Sequence, residues 1–369
     1  MVCGRANSSH FSEGECHVCG GAALKTDAMV QEAARLLAAE KAGSFSISTM
    51  MSRDWLAREE RAWDERLAGA ESVKSFLNKS ISAALEKASG ARYVPDGECR
   101  LVFDYSKGAV SLERNELFVF GRYMKLSAGL SQSRWRCPKC EGKGCPACHG
   151  KGMLYESVEE RVGGPLKKAA SADDYVMHAS GREDVDATNS AGRPFVMELK
   201  GPKERKLELD SIAREIGEKG DVAVSGLRIV QRGFCELVTE SHFDKTYEAD
   251  VEFGADVDDD ALARIRTLEG KTILQKTPTR VAHRRANLVR HRKVKHIEVV
   301  RRETENPKLA TLIIKAEAGT YIKELISSDG GRTEPSVSGL LGMSAVCRRL
   351  EVVGIDDGFL DFCLAAIKR

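Results

Sequence analysis

The stretch Ala179-Ser180-Gly181-Arg182-Glu183-Asp184-Val185-Asp186, followed shortly by Gly192-Arg193-Pro194-Phe195, decides how this chain reads. Its glycine and short polar residues mark a tight loop. The loop sets Asp184 directly after Gly-Arg-Glu, with a second acid, Asp186, close behind. Taken alone it is an acidic turn. It gains meaning beside two motifs downstream, Lys245-Thr246-Tyr247 and Gly319-Thr320-Tyr321-Ile322-Lys323.

Length and composition set the frame. At 369 residues the chain can hold two or three domains with cores of their own. Its apolar content is ordinary for a globular protein. Net charge is only +2, so any surface for a polyanion has to be local. No apolar run approaches the roughly 20 residues a membrane helix needs. Met1–Glu15 is polar and lacks the apolar segment of a secretory signal. No membrane partner is expected, and the expected compartment is the cytoplasm.

Helical spacing runs from Asp27 to about Glu40, and Asp54–Leu67 is charged and helical. Ser72–Ala88 puts Val73, Phe76, Leu77, Ile81, Ala84 and Leu85 on one face, with Gly90 as its stop. Strand-like runs follow the first helix at Ser44–Ser48 and the third at Arg100–Tyr105, Ala109–Leu112 and Leu117–Phe120. Beyond the cysteine-rich segment 137–152, strand candidates are Phe195–Leu199, Leu227–Val230, Thr246–Phe253, His296–Arg302, Ala310–Ala316 and Leu350–Ile355. Helix candidates among them are Glu208–Ile216, Asp258–Leu268 and Thr320–Ile326. The pattern is α+β, with no repeat of solenoid length. Gly163-Gly164-Pro165 and two lysines make a linker-like patch between Tyr155 and Ala172. The expected domains are therefore residues 1–155 and 156–369.

Six of the eleven cysteines fall in Cys-x-x-Cys pairs: Cys16/Cys19, Cys137/Cys140 and Cys145/Cys148. In a long chain without a secretory signal, that spacing reads as metal ligation and not as disulfides. The others, Cys3, Cys99, Cys235, Cys347 and Cys363, read as small apolar filler. Four thiolates make a closed, structural zinc site. The gap of four residues between Cys140 and Cys145 is tight for a self-contained cage, so Cys16/Cys19 are expected to share the ion with a later pair. Two ions are the alternative, if Cys3, His17 or His149 joins. The Cys-x-x-Cys-x-Gly-x-Gly pattern also occurs in the zinc modules of DnaJ-type chaperones, but this chain contains no His-Pro-Asp.

The second half resembles the pseudouridine synthases, most closely the archaeal and eukaryotic tRNA synthases of the Pus ten family. The resemblance rests on Gly181–Asp186, Gly192–Phe195, Lys245–Tyr247, Gly319–Lys323, the cysteine pairs and Gly331-Arg-Thr-Glu-Pro-Ser-Val337. Gly69–Lys79 and Phe118-Val-Phe-Gly-Arg-Tyr-Met-Lys125 resemble the family's THUMP-containing RNA-binding half. What this implies is a zinc-bound, THUMP-containing RNA-binding domain followed by a catalytic domain built on a mixed or antiparallel central sheet. The implied reaction turns uridine into pseudouridine in the T arm of tRNA, at the positions conventionally numbered 54 and 55.

That reaction breaks the N1–C1′ bond, rotates the base and rejoins it through C5. Nothing is oxidised and no catalytic cofactor is needed. A carboxylate must attack the sugar or assist departure of the base. By the resemblance it is Asp184, with Asp186 as the fallback, and Lys323 is the basic residue that pairs with it. A desolvated carboxylate would otherwise have a raised pKa. Tyr247 matches the tyrosine that lies against the flipped base, where an aromatic face returns about 1–3 kcal/mol of lost stacking. Leu350 is the choice for the aliphatic wall under the base, with Leu340 and Leu341 as rivals. Arg182 would hold the flipped nucleotide's phosphate or fix the loop, and Arg332 would order its own turn.

Residues 280–302 carry nine Lys/Arg against one Glu. Arg280, Arg284, Arg285, Arg290, Arg292, Lys293 and Lys295 suit a hairpin or loop, about 276–295, that grips an RNA backbone. Arg284, Arg285 and Arg292 are taken as its substrate contacts. Each phosphate contact would steepen the salt dependence of binding. The expected partner is tRNA, and a monomer suffices. The alternative is a zinc-containing tRNA-binding protein without catalysis, which would not need Asp184, Tyr247 and Lys323 together.

Overall fold

The computed structural model describes residues 16, 18–22, 26–64, 71–282, 286–300 and 306–366. They divide into two compact units. The first is the chain up to Leu117 with Ala172–Asp174 and Lys200–Arg205; the second comprises Phe118–Ser171, Tyr175–Leu199 and the chain from Lys206 on.

The first unit is built from α1 (Asp27–Glu40), β1 (Ser44–Met50), α2 (Arg53–Asp64), α3 (Val73–Ser89), β2 (Arg92–Tyr93), β3 (Cys99–Asp104) and β4 (Ala109–Arg114). Its sheet runs β2-β1-β3-β4. β1 is parallel to both neighbours, and β3 and β4 are antiparallel. The four-residue spacing of Val73, Leu77, Ile81 and Leu85 gives α3 one apolar stripe, and all four are buried. Burying each contributes about 1.5–3 kcal/mol. Ser72 caps the helix by accepting from Ser75 N at 3.1 Å, and Gly90 ends it in the left-handed conformation. α3 packs on β1 and β2, and α1 on β3 and β4.

The second unit holds β5 (Leu117–Lys125), α4 (Val158–Ala170), β6 (Asp174–Ala179), β7 (Thr188–Lys200), α5 (Leu209–Gly217), β8 (Val222–Val230), α6 (Gly233–Glu240), β9 (Lys245–Phe253), α7 (Asp259–Arg266), β10 (Thr272–Lys276), β11 (Val289–Val300), β12 (Leu309–Ala316), α8 (Ile322–Ser327), β13 (Thr333–Glu334), α9 (Val337–Leu341), β14 (Ala345–Ile355) and α10 (Gly358–Ala366). One large sheet runs β13-β10-β11-β12-β9-β14-β7-β5-β8, with β6 beside β7. Its ladders are antiparallel around β9, and β14 meets β7 in parallel, so the sheet is mixed and the chain is α+β, as expected.

Strict alternation builds the centre. Lys245, Tyr247, Ala249, Val251 and Phe253 of β9 all point to the buried side. There they meet Leu312 and Ile314 of β12, Ile297 and Val299 of β11, and Leu350 and Val352 of β14. Period-2 patterning thus sends Tyr247 inward at the end of a core row.

Two sequence expectations are corrected. The Gly163-Gly164-Pro165 patch lies inside helix α4 and is not a linker. Ser157 caps that helix, accepting from Glu160 N at 3.2 Å. Glu159 and Glu160 occupy its first turn and Lys167 and Lys168 its last, both favourable to the helix dipole. Gly163 is small because Tyr175 covers it: a Cβ there would sit 2.2 Å from the ring. Second, Phe118–Lys125 forms strand β5 between β7 and β8, so it does not belong with the N-terminal half. It lies in the second compact unit, which begins at Phe118.

Candidate active site

The second unit opens in a cleft of about 760 Å³, within the range of ligand sites. The loop between β6 and β7 lines it with Arg182, Glu183 and Asp184; β9 adds Lys245 and Tyr247, and β14 adds Leu350 and Val352. Lys323 enters from the first turn of α8, Arg280 from the connection between β10 and β11, and Arg290 from the start of β11. Five residues singled out in the sequence, Asp184, Tyr247, Lys323, Arg182 and Leu350, therefore meet in one place.

Asp184 has two cations beside it. Arg280 Nη1 donates to its Oδ1 at 2.7 Å, and Lys323 Nζ stands 3.8 Å from its Oδ2. Lys323 bonds both oxygens of Asp186 more closely, at 2.6 Å. The expected Lys323–Asp184 pair is thus shared, and Asp184's nearest partner is Arg280. The Asp186 side chain is 71% exposed, against 28% for Asp184, and it does not line the cleft. Burial opposes charge on Asp186, but the hydrogen bond and charge of Lys323 outweigh it and hold that carboxyl below its ordinary range. Arg280 is anchored in turn: its Nε donates to Glu324 Oε1 at 2.7 Å, from a carboxylate that is only 6% exposed. Burial disfavours the guanidinium charge, yet Glu324 and Asp184 together raise its pKa above the ordinary value.

Beneath the loop lies a buried polar network. Glu183 pairs with Arg193 at 2.7 Å, both side chains 2% exposed. Glu183 Oε1 also accepts from Tyr123 Oη at 2.7 Å. Gln132 Nε2 donates to Tyr123 Oη and to the Gly181 carbonyl, each at 2.8 Å. Lys125 Nζ donates to the carbonyls of Asp184 and Val185 at 3.0 and 2.9 Å, and Arg193 Nη1 to that of Ser180 at 2.7 Å. Five positions between Ser180 and Val185, four carbonyls and the Glu183 carboxylate, are thereby pinned. Gly181 adopts φ +76°, and a Cβ there would crowd Arg193 Nη1 at 3.2 Å; both facts favour glycine. Burial is the main influence on Lys125 and lowers its pKa.

The cleft floor is apolar. Tyr247 pairs in register with Val352, and Ala249 with Leu350. Leu350 and Val352 line the cleft, whereas Leu340 and Leu341 do not. Burial pushes the Tyr247 hydroxyl up to about 12, so it stays a neutral donor. Lys245 is buried beside it; desolvation, then Arg193, brings its ammonium down to about 8.

The basic segment is a β-hairpin, with Thr272↔Lys293 to Lys276↔Val289 in register. Arg290 faces the cleft, donating to Thr277 Oγ1 at 3.0 Å and lying 5.8 Å from the Tyr321 ring. Arg292, two residues along β11 on the same face, does not line the cleft; its guanidinium lies against Gly319. Arg284 and Arg285 lie outside the described residues. Lys295 is paired with Asp244. Arg332 donates to the Thr277 carbonyl at 2.6 Å.

The sulfurs of Cys137, Cys140, Cys145 and Cys148 lie within 4.8 Å of one another. Three of the contacts measure 3.8–3.9 Å, near the ~3.8 Å edge of a tetrahedron with Zn–S bonds of about 2.3 Å. Gly144 N and Gly152 N point at Cys140 Sγ and Cys148 Sγ, both at 3.2 Å. Burial opposes the Cys148 thiolate, but the N–H groups of Cys145 and Gly152 and the neighbouring thiols bring it down to about 6. The four ligands therefore fit a tetrahedral thiophilic ion without help. The expected sharing with Cys16/Cys19 is not needed to complete the site. Left-handed Gly142 and Gly144 turn the chain within the short gap, and Gly150 and Gly152 turn it beyond Cys148, which spacing alone did not reveal. Cys19 is instead buried in the core of the first unit, with Cys16 packed against that core. Cys148→Ser is expected to lower bound metal from about one ion per chain to about none, and Cys16→Ser to leave it unchanged, both read by elemental analysis.

Sequence reasoning assigned no role to Tyr123, Lys125, Gln132, Glu183, Arg193 or Val352, and placed Arg280 only on the RNA surface. One signal was available: Arg193 sits in the quoted Gly-Arg-Pro-Phe motif, an arginine at the start of an otherwise apolar strand run.

Residues 118–356 match the family described as Pus10, C-terminal. The chain is 37% identical over 352 residues to a tRNA pseudouridine synthase Pus10 of Korarchaeum cryptofilum, covering 93% of this chain and 94% of the relative. It is 40% identical over 285 residues to that of Methanocaldococcus jannaschii, covering 76% of this chain and 62% of the relative. A chain of a solved Cbf5-Nop10-Gar1 complex aligns with 51% of this chain and 42% of its own length, at a TM-score of 0.31 and 21% identity, too slight a likeness to bear on the site.

Proposed function

The chain belongs to the Pus10 family of tRNA pseudouridine synthases and is an isomerase of that class; from this premise we propose that it acts in the T arm of tRNA, at position 54, 55 or both, with Asp184 as nucleophile. The observation that carries the assignment is the cleft's own inventory. Its two lining carboxylates are Glu183 and Asp184, and Glu183 is tied up by Arg193 and Tyr123. Asp184 is left facing the space between Tyr247, Lys323 and Arg280.

A uridine flipped into the cleft would lay its base against Tyr247, with Leu350 and Val352 as the apolar wall. Asp184 then attacks C1′ or assists departure of the base, and the electron pair of the N1–C1′ bond leaves with N1. The base turns, C5 bonds to C1′ as the bond of any Asp184 ester to C1′ breaks, the C5 proton leaves to restore the ring, and N1 takes up a proton. Lys323 and Arg280 stand beside the carboxylate and orient it. The pinned loop backbone holds it in place through the sequence, which is how positioning lowers a barrier.

The first unit supplies the THUMP-containing RNA-binding part, and the hairpin around residues 276–295 grips the backbone of the arm. The four-cysteine site holds a structural zinc ion and takes no part in the chemistry. A monomer acting in the cytoplasm completes the proposal. No described helix is long and apolar enough to cross a membrane. Mapping pseudouridine by nucleotide on an unmodified tRNA transcript tests it. Product at position 54 or 55 is expected. Tight, salt-sensitive binding without product would favour a binding protein, and product confined to another arm would remove the T-arm assignment.

A further inference from the structure

The rim of the cleft carries an aromatic and cationic stack that the reaction above leaves unused. Trp135 lines the cleft. The Arg182 guanidinium lies 4.6 Å from its ring centroid, and Tyr155 meets it edge-on at 5.8 Å. Trp135 and Tyr155 flank the four-cysteine segment on its two sides. Leu154 N donates to the Trp135 carbonyl at 2.9 Å and Cys137 N to that of Gly152 at 2.8 Å, with an antiparallel bridge between Arg136 and Met153. The segment is thus a short hairpin: the sulfurs close its far end and the aromatics stand at its base. Leu154 and Tyr155 remain 45% and 42% exposed, so this apolar surface is not spent on a core.

We propose that Trp135, backed by Arg182 and Tyr155, is a stacking platform for the nucleobase next to the uridine that enters the cleft, and that the metal-binding hairpin serves to hold it there. This rests on the pseudouridine synthase reading of the cleft. Flipping one nucleotide leaves its neighbour without a stacking partner. An indole face restores that contact whatever the base, and an adjoining guanidinium adds cation–π and phosphate contacts. Placement selects a neighbour and not a distant base. Arg182 and Asp184 are two residues apart, at most about 7 Å along the chain, so a base on the platform belongs to a nucleotide adjoining the reacting one.

Steady-state kinetics on a T-arm substrate test the proposal, with Trp135→Leu, Trp135→Phe and substrates carrying one abasic nucleotide on either side of the target. Trp135→Leu is expected to raise KM roughly 5- to 100-fold, with kcat unchanged within about twofold. Trp135→Phe, which keeps a ring, is expected to recover most of the loss. With the wild-type protein, one abasic position is expected to cost the same factor, and that cost vanishes in Trp135→Leu. Equal KM for Trp135→Leu and wild type overturns the platform. So does a wild-type protein indifferent to both abasic positions, a result that stands even if Trp135→Leu folds poorly. Absence of any pseudouridine with the wild-type protein sinks the functional reading first and the platform with it; product that ignores Trp135 sinks the platform alone.

Discussion

Asp184→Asn is expected to slow pseudouridine formation by about 10⁴-fold or more, the scale on which removal of a nucleophile acts, while tRNA affinity stays within about threefold of wild type. The amide is nearly isosteric, so the loop should keep its shape. That shape is set elsewhere, by Lys125, Gln132 and Arg193 on the carbonyls of the loop. Arg280 loses one partner but keeps Glu324. The Asp184–Arg280 contact is 28% and 36% exposed on its two sides, so its loss costs little stability. What disappears is the charge that attacks or stabilises the sugar. Single-turnover rates beside tRNA binding isotherms separate the two effects. A rate within about tenfold of wild type would remove Asp184 from the nucleophile's role.

Arg193→Met is expected to destabilise the second unit by about 3–5 kcal/mol, because it strands Glu183 as an uncompensated buried charge. For a unit of this size that corresponds to a fall of roughly 6–20 °C in the unfolding midpoint. The pair is 2% exposed on both sides, so solvent cannot take over the lost partner. Burial disfavours the Arg193 charge, yet Glu183 foremost holds its pKa above the ordinary value. Adding Glu183→Gln removes the stranded charge and is expected to return part of the loss, a coupling that a double-mutant cycle measures. An unfolding midpoint for Arg193→Met equal to wild type would contradict the network's place in the loop. Activity should fall with stability, since the same residues fix the carbonyls of Ser180, Gly181 and Asp184.

Local patterning carried much of the fold. The four-residue apolar stripe of α3, its Ser72 cap and its Gly90 stop are all written in nearby residues, and the structure uses them. The alternation that turns Tyr247 inward on β9 is equally local. Elements that depend on distant partners were harder to read. Gly163-Gly164-Pro165 has the composition of a linker, and only Tyr175 lying on Gly163 shows why a helix needs glycine there. Nothing in its local sequence marks Lys125 as a core residue, yet it is fully buried beneath the loop that carries Asp184. Its role depends on β5 sitting beside β7, a neighbour far along the chain.

The candidate site was legible where motifs are short and chemical, and less so where charge partners are chosen by packing. Asp184, Tyr247, Lys323 and Leu350 are brought together. Lys323, however, divides its charge between two aspartates, and Arg280 reaches Asp184 from the other side because Glu324 orients it. Nothing in the spacing of a basic run tells which arginine turns inward. The same holds for the cysteines: left-handed glycines let four close residues converge, and the gap length alone pointed elsewhere.

The most direct test compares Asp184→Asn with Asp186→Asn on one unmodified tRNA transcript, mapping pseudouridine by nucleotide. Product at position 54 or 55 that vanishes with Asp184→Asn and persists with Asp186→Asn is the expected result. Product that survives Asp184→Asn and vanishes with Asp186→Asn would contradict the assignment and move the nucleophile to the exposed partner of Lys323.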